Sequence, residues 1–88
     1  MIEFKKFGAE WCGPCRAMIP MLTEIKSQYN NVLFTEYDVD TEFEEATKYE
    51  IRTVPTVIIV KDGVEIERII GLSNKSKYMG ILNEQLNN

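Results

Sequence analysis

Residues 6–20 read KFGAEWCGPCRAMIP, and the parsing of this stretch decides the fold. The apolar-rich segment IEFKKF (2–7) leads into it and stops at Gly8, which reads as a strand followed by a loop. Beyond the cysteines, Met18, Met21, Leu22, Ile25 and Tyr29 fall at offsets 0, +3, +4, +7 and +11, the spacing of one helix face. Cys12 and Cys15 therefore sit at a strand-to-helix junction. Pro20 lies inside the helical stripe, where a missing N–H and a crowded preceding turn predict a bend. Asn30 and Asn31 end the helix.

Working outward, VLFTEYDV (32–39) is rich in β-branched and aromatic residues and reads as a second strand. TEFEEATKYE (41–50) reads as a short helix capped by Thr41, its early acidic residues suiting the helix dipole. TVIIVK (56–61) is a nearly continuous apolar run, as in a strand covered on both faces. Asp62-Gly63 marks a tight hairpin, and VEIERII (64–70) returns with period-two alternation until Gly71 breaks it. Ser73 or Asn74 begins a last helix whose Tyr78, Ile81, Leu82 and Leu86 face inward. The order β-α-β-α-β-β-α defines an α/β chain with a four-stranded mixed sheet flanked by helices. Its first two strands are parallel through a right-handed crossover, and its last two form an antiparallel hairpin.

Eighty-eight residues make a single domain, 1–88, and a chain of this size buries a little over ~60% of its unfolded surface. A composition of 44% hydrophobic and 27% charged residues is that of an ordinary globular protein. Ten Lys+Arg against fourteen Asp+Glu give a net charge of −4, which argues against nucleic acid or an anionic membrane as partner. The N-terminal MIEFKKF lacks the apolar run of a signal peptide, and no stretch approaches ~18 apolar residues. The expected location is the cytoplasm, where thiols are kept reduced and a cysteine pair points to catalysis or metal.

Three readings of Cys12 and Cys15 compete. Zinc wants four ligands, and the chain offers two cysteines and no histidine. A structural disulfide across two residues would constrain the unfolded chain very little. A redox couple accounts for more. Near a helix N-terminus, unpaired N–H groups and the positive dipole end favour the Cys12 thiolate, the nucleophilic form. Gly13 and Pro14 shape a turn that brings Cys15 back to it, proline being tolerated in the first helical turn. Cys12 is expected to be the exposed sulfur that attacks, and Cys15 the deeper one that resolves the mixed disulfide.

With AEWCGPC at 9–15 and RTVPT at 52–56, followed by Asp62-Gly63 and the Gly71 loop, nearly the whole chain resembles the thioredoxin family. The resemblance implies a minimal thioredoxin-like fold and a dithiol–disulfide oxidoreductase that reduces protein disulfides. It implies a cis Pro55 facing the disulfide, Val54 offering backbone groups to an extended substrate, and an apolar groove of Trp11, Gly13, Pro14, Val54, Ile70 and Gly71. On the residues alone, Pro55 reads as a trans turn and Trp11 as ordinary packing. The resemblance further implies a monomer with no bound cofactor beyond the reversible Cys12–Cys15 disulfide, recharged by an NADPH-dependent thioredoxin reductase. A glutaredoxin-like, glutathione-dependent enzyme and a docking subunit that only uses the groove are the alternatives; Trp11 and Gly13-Pro14 favour the first reading.

The chain departs from the family pattern in two places. Members usually carry a strand and helix before the motif strand, and this chain begins at that strand. Glu3 and Lys5, on the face opposite Ile2, Phe4 and Lys6, are expected to be uncovered, with their charges discouraging edge pairing. The second departure is Lys6, where the family typically has a buried aspartate; that aspartate's usual lysine partner corresponds to Glu36. Either Lys6 and Glu36 form a charge-reversed buried pair below Cys15 that aids its deprotonation, or Lys6 snorkels to solvent. Arg16 reads equally as a docking or thiolate-stabilising charge and as surface solvation. Glu42, Glu44 and Glu45 read as a solvated helix face.

Overall fold

The first strand, β1 (Ile2–Gly8), pairs on both edges, parallel to β2 (Val32–Asp38) and antiparallel to β3 (Thr56–Lys61). A hairpin adds β4 (Val64–Ile70), so the four-stranded mixed sheet runs β2-β1-β3-β4. The helices are α1 (Gly13–Gln28), α2 (Phe43–Lys48) and α3 (Lys75–Leu86). The computed structural model describes residues 1–87. Two reversals follow from local chemistry. Asp62 and Gly63 both take positive φ (51° and 85°), the left-handed pair that a two-residue hairpin requires. Asn74, rather than Ser73, caps α3, its Oδ1 accepting from the Lys77 N–H at 2.9 Å.

Alternate residues of each strand build two unequal layers. One face carries Ile2 and Phe4 of β1 with Val57 and Ile59 of β3 against Met18, Leu22 and Ile25 of α1 and Tyr78 and Leu82 of α3. Phe4 meets Phe34 at 5.1 Å and Tyr78 edge-on at 5.7 Å between ring centroids. Tyr29, just past α1, ties that helix to α3 by donating its hydroxyl to Asn83 Oδ1 at 2.6 Å. Pro20 lies within α1 on its exposed side.

The other face is built from Phe7, Ile58 and Val60 beneath the short α2, with Tyr37, Val39, Ala46, Tyr49 and Ile51 around them. Here the expectation of an uncovered Lys5 is corrected: Lys5 is 7% exposed. Its Nζ donates to Glu45 Oε2 at 3.2 Å and lies 5.6 and 5.1 Å from the ring centroids of Tyr37 and Tyr49. The solvated-face reading of Glu45 falls with it, since α2 turns that carboxylate onto the sheet. Burial opposes the Lys5 charge, but the hydrogen bonds, that to Glu45 foremost, outweigh it and hold the ammonium above the ordinary lysine range. With a folded-state pKa above the unfolded one, this contribution is complete at neutral pH. It fades only as pH rises past about 10.4, where the unfolded chain loses its proton first. Glu45→Gln is expected to cost about 1–2 kcal/mol at pH 7, read by urea denaturation, and to flatten the fall in stability above about pH 10.4.

Two local expectations are also corrected. Glu42, not Thr41, is the α2 cap residue, and its side chain makes no capping bond. The N–H groups of Thr41 and Glu42 both close on the Asp38 carbonyl (3.1 and 2.8 Å), and the Glu42 carboxylate turns back to the Asp38 N–H at 2.9 Å. In β4 the strict alternation fails because the register shifts opposite Ile59/Val60, leaving Ile66 as an extra residue. That bulge lets Ile66 and Ile69, three positions apart, pack on the same core.

Candidate active site

The end of β1 and the start of α1 bring the two sulfurs together. Cys12 is the N-cap of α1, with extended backbone (φ −88°, ψ 109°). Its Sγ accepts the Cys15 N–H at 3.1 Å, one of the helix-end donors that lack an intrahelical partner. Pro14 stands in the first helical turn, where its missing donor costs nothing. Cys12 and Cys15 are joined as a disulfide with Cα atoms 5.2 Å apart. No acidic residue lies in the first turn to oppose a developing thiolate. Among the described residues no group of three or more His, Cys, Asp or Glu is arranged to hold a metal, and no helix is long and apolar enough to cross a membrane.

The contrast expected between an exposed Cys12 and a deep Cys15 is absent from this oxidised state. The two are 4% and 2% exposed, packed with Ala9, Val39 and Val54. Gly8, read from sequence only as a strand end, lies tight against that packing. A Cβ there would sit 3.3 Å from Cys15 Sγ and 3.4 Å from Lys6 Cε, so a side chain would press both neighbours by a few tenths of an ångström.

The opposite wall is the 53–56 loop, whose Val54–Pro55 peptide bond is cis. Thr56 Oγ1 donates to the Thr53 carbonyl at 2.8 Å, and the Gly71 N–H donates to the Pro55 carbonyl at 2.8 Å. Val54 is half-buried against the cysteines and Pro55 is buried. Gly71 takes φ +85°, a conformation that side chains rarely adopt, and so turns the chain after Ile70. Around the disulfide Gly13 and Pro14 are exposed, and Trp11 and Ile70 stand out at 68% and 66% exposure. Trp11 is held by its Nε1–H, which donates to Asp40 Oδ2 at 2.7 Å. Asp40, twenty-nine residues away, carried no sequence signal for this role.

Lys6 and Glu36 face each other across β1 and β2, though not as a buried pair. The Lys6 side chain is 8% exposed and that of Glu36 68%, because β2 is an edge strand and leaves Glu36 open to solvent. Nor does Lys6 snorkel. Its Nζ turns inward to the Cys15 carbonyl at 3.1 Å and reaches Glu36 Oε1 at 3.4 Å. Arg16 Nη1 donates to the Glu10 carbonyl.

A Cys-x-x-Cys disulfide whose first sulfur caps a helix N-terminus defines the class, a dithiol–disulfide oxidoreductase. Comparison with known proteins narrows the class. The Thioredoxin family profile matches residues 4–84. Thioredoxin of Chlamydia caviae is 35% identical over 78 residues, 89% of this chain and 76% of that one. Thioredoxin of Staphylococcus aureus is 33% identical over 86 residues, 97% and 83% of the two chains. The solved thioredoxin of Fasciola hepatica superposes with a TM-score of 0.87 at 34% identity, covering 94% of this chain and 79% of that one. That of Trypanosoma brucei brucei superposes at 0.91 with 26% identity, over 100% and 77%. The chain belongs to the thioredoxin family.

Proposed function

We propose that the chain reduces disulfides in other proteins, with Cys12 as nucleophile and Cys15 as resolving thiol. The observation that carries the reading is the Cys15 N–H aimed at Cys12 Sγ at 3.1 Å, a donor ready for the thiolate of the reduced form. The Cys12 thiolate attacks one sulfur of the substrate disulfide, whose S–S bond breaks as a mixed disulfide forms, and the departing thiolate takes up a proton. The Cys15 thiol loses its proton and attacks Cys12 Sγ, releasing the second substrate sulfur as a thiolate that is protonated in turn. Two electrons pass to the substrate, and the sulfurs themselves carry them without a bound cofactor. Trp11, Gly13, Pro14, Val54, Pro55, Ile70 and Gly71 form the groove that receives the extended substrate.

In this reading Lys6 assists the second step. Its ammonium holds the Cys15 carbonyl at 3.1 Å from behind the disulfide and favours negative charge on that residue's sulfur. Glu36, at the solvent mouth beside it, passes the proton to water. Lys6→Met is expected to slow resolution of the mixed disulfide about tenfold and to move the pH profile of that step upward. Unchanged turnover and unchanged Cys15 reactivity would contradict the role.

The physiological reductant in this reading is an NADPH-dependent thioredoxin reductase, and the setting a reducing cytoplasm in which the chain works as a monomer. Insulin reduction tests it, driven in parallel by reductase with NADPH and by glutathione. The expected result is turnover with the reductase. Turnover with glutathione alone would favour a glutaredoxin-like enzyme. Partner binding that survives serine at both cysteines, without turnover in either assay, would mark a docking subunit.

A further inference from the structure

All three arginines of this acidic chain lie near groove residues in sequence: Arg16 follows Cys15, and Arg52 and Arg68 come two residues before Val54 and Ile70. They are not equivalent. Arg68 commits Nε and Nη2 to the Glu65 carboxylate at 2.8 Å each, and Glu50 adds to the negative field on it. Arg16 is turned to the Glu10 carbonyl. Arg52 is exposed and forms no salt bridge among the described residues.

Arg52 lines a cleft of about 330 Å³ together with Trp11, Val39, Ile51, Thr53 and Val54. The cleft opens beside the attacking sulfur, since Val39 and Val54 also pack on Cys12 and Cys15. Its walls are tied in place. The Trp11 indole is held by Asp40, the Val39 N–H by the Gly8 carbonyl at 3.0 Å, and the Ile51 N–H by the Ala46 carbonyl at 2.9 Å. The Asp40 carboxylate accepts the indole N–H through Oδ2 and keeps its charge, and Glu50 lines the neighbouring cleft with Arg52. A preformed apolar floor with a cation outside any salt bridge on its rim is a recognition surface for a side chain next to a substrate cysteine. In a chain of net charge −4, an acidic segment is repelled at long range, so a local cation has a marked effect on which segments settle.

We infer that this cleft selects disulfides with a carboxylate beside the reacting cysteine, and that Arg52 is the residue that reads it. The inference rests on the reductase reading and names its preferred substrate class. Two peptides test it, each joined by a disulfide to the same chromophoric thiol and differing only in Glu or Lys next to the cysteine. Rates with the reduced chain are normalised to those with dithiothreitol, which removes the peptides' own difference in reactivity. The Glu peptide is expected to react about fivefold faster at low ionic strength, with the preference vanishing near 0.5 M salt, on the order of a charged pair at a solvated rim. Arg52→Glu is expected to invert the ratio. A ratio of one in the wild-type chain, or a ratio unchanged by Arg52→Glu, overturns the inference alone. No reduction of either peptide overturns the reductase reading and this inference with it.

Discussion

Replacing Cys12 by serine is expected to abolish disulfide reduction, a loss of more than about a thousandfold, because the remaining Cys15 lacks the helix-end N–H that favours the Cys12 thiolate. The hydroxyl of serine can still accept the Cys15 N–H, so the cap of α1 survives and the fold with it. Cys15→Ser is expected to behave differently. Its Cys12 attacks the substrate normally, but the mixed disulfide persists and can be isolated as a covalent adduct by non-reducing electrophoresis and mass spectrometry. Adduct formation by Cys12→Ser in place of Cys15→Ser would reverse the assignment of the two sulfurs.

Phe4→Ala is expected to have the largest effect on stability. Phe4 is 1% exposed at the centre of the main layer, between Phe34 and Tyr78, with α1 and α3 stacked over it. Removing a buried phenyl ring costs about 3–5 kcal/mol through lost transfer energy and the cavity left behind. A chain of 88 residues has a total stability on the order of 4–13 kcal/mol, so the variant should lose between about a quarter of its stability and all of it. Urea denaturation monitored by far-UV circular dichroism should show a midpoint lowered by about a quarter or more of the wild-type value. A shift of less than about 1 kcal/mol would mean that the layer repacks around the void.

Residues whose partners are near in sequence, or whose pattern repeats, were legible from the start. The stripe Met18-Leu22-Ile25 lies buried on α1, TVIIVK forms β3, and Asp62-Gly63 closes its hairpin. Each is a local consequence of helix period, continuous apolarity or left-handed backbone. Legibility failed where a distant element decided the outcome. Lys5 looks like an exposed charge until α2 delivers Glu45 and Tyr49 onto it. Thr41 is a good cap residue, but the turn at Asp38 draws the neighbouring N–H groups first. Ile66 joins the core only because β3 and β4 slip by one residue.

The site divides along the same line. Cys12, Cys15 and their helix junction are contiguous in sequence, and the 52–56 segment announces itself by its own motif. The Asp40 anchor of Trp11 is set by the β2–α2 connection, and the close approach of Gly8 to Cys15 by the angle at which α1 leaves the sheet. The exposure of Glu36 follows from β2 lying at the sheet edge, a property of strand order that its own residues do not encode.

The central claim is that Cys12 and Cys15 form a two-electron couple that is spent on protein disulfides. A single-turnover reaction tests it most directly: fully reduced chain is mixed with an equimolar protein disulfide, quenched in acid, and alkylated to count thiols by mass. The predicted result is two new thiols in the substrate for every Cys12–Cys15 disulfide formed. A substrate disulfide left intact beside a dithiol that stays reduced would contradict it.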